Sequence, residues 1–309
     1  MLAIFLKTLP FFLVIAMGWL SGRSGFFPPA ATAWLTKFVF YFALSAMLLR
    51  FAATLDVGQM FDPGFVAAYL AGSVAVWLLG FGVARGRGLA LPEAAMEAHA
   101  AMTGNTGFLG VPMLVALMGP AAVGPVLMVL TIDMVVFSTL ITLIVTAARH
   151  GRIGAATLLP LVRGILSNPM IVSMLAGLGW SAAGLPMPGP LDEFLALLGA
   201  AATPGALFAI GASLAGRGAE RPGPALWLTG AKLVLHPLAV GVAALSVFDV
   251  APYPAGVMIA AAALPVAGNV YILAQYFGVA VQRVSTAILF STALSIVTLP
   301  AVMHWIMKG

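Results

Sequence analysis

Apolar residues run through this chain in long stretches that would make a helix hydrophobic on every side. A helix crossing a bilayer needs about 20 such residues. Ten stretches meet that length, at roughly 2–20, 32–53, 64–84, 94–118, 122–148, 165–183, 193–215, 225–247, 254–278 and 284–306. They are numbered here as segments 1 to 10. The longest connector runs from Arg149 to Arg163 and is interrupted by Gly151, Gly154 and Pro160. It divides the chain into a first half, 1–148, a connecting loop, 149–163, and a second half, 164–309.

The polar residues between segments set an orientation. Lysine and arginine concentrate on the cytoplasmic side of membrane proteins. The odd-numbered turns, those after segments 1, 3, 5, 7 and 9, hold Arg23, Arg85, Arg87, Arg149, Arg152, Arg163, Arg217, Arg221 and Arg283. The opposite side holds Lys7, Lys308 and, near a helix end, Arg50, together with Asp56, Asp62, Asp192, Glu193 and Asp249. The arginine-rich side is therefore expected in the cytoplasm and both termini outside. An odd number of segments would break this alternation.

The two halves resemble each other. Segment 4 carries Gly104-Asn105-Thr106-Gly107, and segment 9 carries Gly268-Asn269 at the corresponding place. Pro10 and Gly18 of segment 1 match Pro169 and Gly177 of segment 6. The matches keep their order with a nearly constant offset. A five-segment unit has an odd number of crossings, so its second copy inserts upside down. The expected fold class is all-α integral membrane: ten transmembrane helices in a 5+5 inverted repeat, an arrangement common among transporters.

Composition agrees with the pattern. The chain has 309 residues, of which 62% are hydrophobic and 7% charged, and its mean hydropathy is +1.11. Soluble domains carry about 25% charged residues. There is no cysteine, which excludes disulfides, thiolate metal sites and cysteine nucleophiles. The net charge of +5 is scattered singly between apolar runs, unlike the basic stripe of a nucleic-acid-binding surface. Segment 1 lacks a charged leader region and a small-residue cleavage site, so it reads as a span.

Candidate chemistry lies at the paired interruptions. Segment 4 holds Gly104, Asn105, Gly107, Gly110 and Pro112, and segment 9 holds Pro265, Gly268 and Asn269. Proline removes a backbone donor and clashes with the preceding turn, and glycine eases unwinding. Unwound backbone survives in a bilayer only where protein or a water-filled cavity satisfies it. Asparagine can both donate and accept. The bland alternative is a pair of kinked structural helices. In an inverted pair, the N-termini of both second half-helices converge, bringing free N–H groups and partial positive charge. An anion, with or without a cation, fits there. The substrate-binding candidates are Asn105, Thr106, Gly107, Pro112, Pro265, Gly268 and Asn269.

Ionisable residues within the segments are a second set. Asp133 lies about 11 residues into segment 5, ~16 Å deep by helical rise. Lys232 and His236 are four apart and share a helix face. Asp133, Lys232 and His236 are candidates for ion coupling or polar support, with Asp133 expected to face a cation, a proton or a basic side chain. Lys37, Lys232 and Glu97 lie within about two turns of helix ends, where snorkelling suffices; Arg50 is similar. His236 alone reads as packed, and His99 and His150 belong to no constellation. Ser291, Ser295 and Thr298 form one hydroxyl stripe, and Thr131, Ser138, Thr142 and Thr146 another. Close helix packing is the default reading of both, and lining of a substrate path is the alternative.

The motifs NTGFLGVP from Asn105 to Pro112, Asn168-Pro169, PGALFAIGASL from Pro204 to Leu214, Lys232 with His236-Pro237, LPVAGNVYILAQYFG from Leu264 to Gly278 and STALSIVTLP from Ser291 to Pro300 resemble those of the auxin efflux carrier family. That family includes bacterial malonate-transporter-like permeases. The resemblance covers essentially the whole chain. It implies ten helices, an inverted repeat and a crossover of broken helices 4 and 9. It further implies a scaffold of helices 1, 2, 6 and 7, a transport part of 3–5 and 8–10, elevator-like movement and a homodimer. Asn105, Pro112, Pro265 and Asn269 would belong to the crossover. Ser45 departs from the pattern, since the family often has proline there, as Pro204 is in segment 7. The short connector resembles the bacterial members and implies the bacterial cytoplasmic (inner) membrane.

The expected function is secondary transport of a small organic anion, such as a carboxylate or an auxin-like acid. No cofactor is expected, and no nucleotide-binding motif such as G-x-x-x-x-G-K-[ST] is present. Sodium or proton coupling and uniport are all compatible with the residues. The alternative is a membrane-embedded ligand sensor or channel. An enzyme is disfavoured: there is no H-E-x-x-H, and Gly179-Trp180-Ser181 lacks the second glycine of a nucleophile elbow.

Overall fold

The computed structural model describes residues 2–54, 62–150, 169–216 and 222–307. Within them the regular structure is helical, with one isolated antiparallel bridge between Gly104 and Val266. The helices are α1 (Leu2–Arg23), α2 (Pro29–Ala53), α3 (Pro63–Gly86), α4 (Leu91–Met102), α5 (Thr106–Met118), α6 (Pro120–Ala148), α7 (Pro169–Ala182), α8 (Gly189–Ala215), α9 (Pro222–Val247), α10 (Pro252–Ala262), α11 (Gly268–Phe277) and α12 (Val281–Ile306). Residues 151–163 of the connector lie outside the described residues, as do Asp56, Asn168, Arg217, Arg221 and Lys308.

Seven helices, α1, α2, α3, α6, α8, α9 and α12, are long and apolar enough to cross a membrane. Many helices open on proline: Pro29, Pro63, Pro169, Pro222 and Pro252 are first residues. Proline suits that position because its missing N–H has no intrahelical partner there anyway. Asp62 caps α3 by accepting from the Gly64 N–H at 2.8 Å. Segment 4 is divided into α4 and α5 by Thr103 to Asn105, and segment 9 into α10 and α11 by Ala263 to Ala267.

Packing separates two groups. In one, α1 lies along α8 and α2 along α7. Glycines allow the approach. A Cβ added to Gly18 would stand 2.2 Å from the Phe208 carbonyl oxygen, and one added to Gly177 would stand 2.5 Å from that of Leu49. Arg50 grips Asp192 with two parallel hydrogen bonds of 2.6 and 3.0 Å, tying α2 to α8. In the other group, α3 packs on α4 and α9, α4 on α6, and α9 on α12. Helices α4 and α10 run through its centre. Every residue from Ala94 to Met102 and from Ala255 to Ala262 is buried. Alanine dominates both stretches, and its small side chain lets neighbours close on every face.

Segment 4 also holds one of the charges expected to snorkel. Glu97 is fully buried, not snorkelling. It pairs with Arg87 at the end of α3 and lies 2.9 Å from Arg283 Nε, an ion pair without hydrogen-bond alignment. Arg283, at the start of α12, also donates to Glu93 at 2.8 Å. A buried charge persists only when paired, and here helices α3, α4 and α12 supply the partners.

Candidate functional site

The two interruptions are bonded to each other. Asn105 donates its backbone N–H to the Pro265 carbonyl at 2.8 Å, and Ala267 donates to the Thr103 carbonyl at 3.1 Å. The Val266 N–H is taken by the hydroxyl of Ser291 on α12, at 3.0 Å. Short extended pieces thus satisfy one another, as unwound backbone inside a membrane protein requires. Ser291 was read with its stripe as packing; here it also completes the break. Ser295 and the segment 5 hydroxyls of Thr131, Ser138 and Thr142 instead donate to carbonyls of their own helices.

The arrangement brings Asn105, Thr106, Pro265 and Gly268 together at one level. Helices α5 and α11 start there, and the first N–H groups of a helix have no partner within it. Asn105 is 7% exposed, and its backbone carbonyl accepts from Leu109 and Gly110 while its side chain leaves α5 uncapped. Asn269 is the second residue of α11, and its buried Oδ1 accepts no hydrogen bond. Gly107 faces Met170 of α7, whose Cε would stand 2.8 Å from an added Cβ. Pro112 is buried in the first turn of the regular part of α5, beyond the break itself.

A buried polar chain backs the break. Lys232, fully buried on α9, donates to the carbonyl of Ala262, the last residue of α10, and its Nζ lies 3.0 Å from His236 Nδ1. A Cβ on Gly104 would sit 3.3 Å from that Nζ and 3.1 Å from the Ala261 carbonyl oxygen, so a side chain here would crowd the ammonium. Helix C-termini carry partial negative charge, which explains a lysine here. It does not snorkel. An ammonium only donates, so His236 Nδ1 accepts and its Nε2–H is free to donate to Ser73 of α3, 3.0 Å away. The Tyr69 ring meets the His236 ring edge-on at 5.9 Å. The Tyr69 hydroxyl donates to Asp133 Oδ1 at 2.8 Å, while Oδ2 has no hydrogen-bond partner. Asp133 therefore faces the hydroxyl of Tyr69 directly.

Three π-helical turns coincide with this machinery: Thr106–Gly110, Asp133–Phe137 and Ala231–Leu235. Such wide turns concentrate at functional positions. Sequence reasoning missed Tyr69, Ser73 and Gly104's partnership with Lys232. A lone tyrosine or serine in an apolar segment carries no signal of its own. His99, one turn before the break, is also buried, with Nδ1 3.2 Å from Thr103 Oγ1.

A family described as "Membrane transport protein" matches residues 3–303. The chain belongs to that family. It is also 30% identical over 304 residues to a Rhizobium meliloti (strain 1021) protein named "Putative malonate transporter", covering 97% of this chain and 95% of that one. The resemblance to auxin efflux carriers is thereby borne out. Membership of the membrane transport protein family makes the chain a multi-pass transporter and not an enzyme. Among the described residues no group of three or more histidines and carboxylates could hold a metal ion.

Proposed function

We propose that this membrane transport protein is a secondary carrier of small carboxylates, with malonate as the first substrate to test. The observation that supports the reading is the mutual bonding of the two breaks, which brings the starts of α5 and α11, where Asn105 and Asn269 lie, close together. Two helix N-termini and two amides suit a compact anion with two carboxylates. Thr106, Gly107 and Gly268 line the same place. Pro265 lies within the second interruption, and Pro112 follows the first in the opening turn of the regular part of α5. Lys232 and His236 support the break from behind and Asp133 balances their charge, whether or not a sodium ion or proton travels with the substrate.

In this reading α4 with α5, and α10 with α11, each make one crossing, giving ten crossings in two inverted halves. The arginine-rich ends face the cytoplasm of a bacterial inner membrane and both termini face outward. Helices α1, α2, α7 and α8 form the scaffold, and the rest moves against it as an elevator. The relative's name supports malonate.

Counterflow in proteoliposomes tests this. Vesicles loaded with unlabelled malonate should accumulate labelled malonate, with and without sodium gradients compared. Asn105→Ala and Asn269→Ala should each weaken malonate binding by about 10- to 100-fold, the worth of a hydrogen bond to a charged group. Malonate affinity unchanged in both variants would reject the site. Binding without flux would mark a sensor, and single-channel currents would mark a channel.

A further inference from the structure

The two half-helices that begin at the break differ in what covers them. Helix α5 packs against α1 and α8 of the first group. Its Phe108 stacks on Phe40 of α2, with centroids 6.0 Å apart and planes 10° from parallel. Met170 of α7 covers Gly107 next to it. Both aromatics lie in π turns, Val39–Ala43 and Thr106–Gly110, where a widened helix re-aims its side chains. Helix α11 is treated differently. It packs on α12 and α4, and among the described residues it has no comparable packing with α1, α2, α7 or α8. The face that begins at Asn269 continues through Ile272, 62% exposed, to Tyr276, 80% exposed.

We propose that Phe40, Phe108 and Met170 form a seal over the break on the α5 side, and that the site is entered along the Asn269–Ile272–Tyr276 face of α11. This rests on the carrier reading, and it adds which residues must part for the site to face the other way. The stack joins the two packing groups, so movement of one group past the other breaks it. The α11 side ends at Gly278 and Ala280, next to Arg283 of the arginine-rich end. Entry is therefore from that end.

The chain has no cysteine, so single cysteines report access directly. A thiol reacts as its thiolate, which forms in water and not in lipid. Ile272→Cys should react with a charged, membrane-impermeant thiosulfonate added from the arginine-rich face of oriented vesicles. Thr106→Cys, at a fully buried position beside the stack, should be inert to reagent added from the opposite face. Adding Phe108→Ala, or Phe40→Ala should the first not fold, should make Thr106→Cys react from the opposite face. The rate should rise up to about tenfold, the scale of one lost aromatic pair. Phe40→Trp should keep Thr106→Cys protected. The seal is overturned if Thr106→Cys reacts equally with and without the stack, and the path is overturned if Ile272→Cys is inert. These rates need no transport. Absent malonate counterflow with the labelling pattern intact would refute the carrier reading and leave the seal standing.

Discussion

Asp133 and Lys232 show what depth along a helix reveals and what it conceals. Asp133 is far from both ends of its segment, so its burial was legible. Lys232 and Glu97 are near ends, and snorkelling was the natural reading. Both are fully buried, because neighbouring helices rise past them and close the route to water. Distance from a helix end is written in the sequence; the height of the neighbours is not. The hydroxyl of Tyr69 is the other concealed part, being the one hydrogen-bond partner of Asp133's carboxylate among the described residues. Tyr69→Phe would leave that buried carboxylate with no hydrogen-bond partner, at a cost of about 1–3 kcal/mol. Asp133→Asn removes the charge that needs the partner. The double variant Tyr69→Phe/Asp133→Asn should therefore lose less than the two single losses added together. Thermal unfolding in detergent of the four proteins measures the coupling, and strict additivity would show that the two groups do not depend on each other.

At the level of elements, the segments were legible and their starts were set a few residues late. The apolar windows begin where hydrophobicity begins, whereas the helices begin at Pro29, Pro63, Pro222 and Pro252. Proline at the first turn is an opening signal that a hydropathy window ignores. The breaks in segments 4 and 9 were legible from glycine and proline, but their mutual hydrogen bonds were not, since nothing local says which unwound backbone satisfies which. Ser291 exposes that gap: it belongs to an ordinary hydroxyl stripe, yet its Oγ accepts the Val266 N–H at 3.0 Å. Ser291→Ala removes the acceptor of that buried donor and should cost about 1–3 kcal/mol. The loss is local, so hydrogen exchange should speed at Val266 and Ala267 more than at residues of α1 or α8. A uniform acceleration across the protein would assign Ser291 to general packing instead.

For the molecule as a whole, the strongest sign of a repeated architecture is a reciprocal contact. Gly18 presses on the carbonyl of Phe208, and Gly177 presses on that of Leu49. The step in sequence from Gly18 to Gly177 equals the step from Leu49 to Phe208. Each contact is thus the other with the halves exchanged, the pattern that a two-fold relation between them would give. The correspondence is imperfect in an informative way. Gly211 of α8 meets the Ile15 carbonyl, to which an added Cβ would come within 1.9 Å, and the same step carries Gly211 back to Ala52 of α2. One junction thus places glycine on both helices, and the other places glycine against alanine. The α1–α8 seam is therefore the less tolerant of the two. Gly211→Ala and Gly18→Ala should each force α1 away from α8, at about 1–3 kcal/mol. The double variant should cost less than their sum, because a seam opened by one methyl has room for the second. Ala52→Gly should leave the α2–α7 seam intact, since it only removes a methyl that the seam already holds. Thermal unfolding of these variants in detergent decides the matter. Equal tolerance of alanine at Gly18 and Gly211 and at ordinary lipid-facing positions would mean that the close seam does not hold the two halves together.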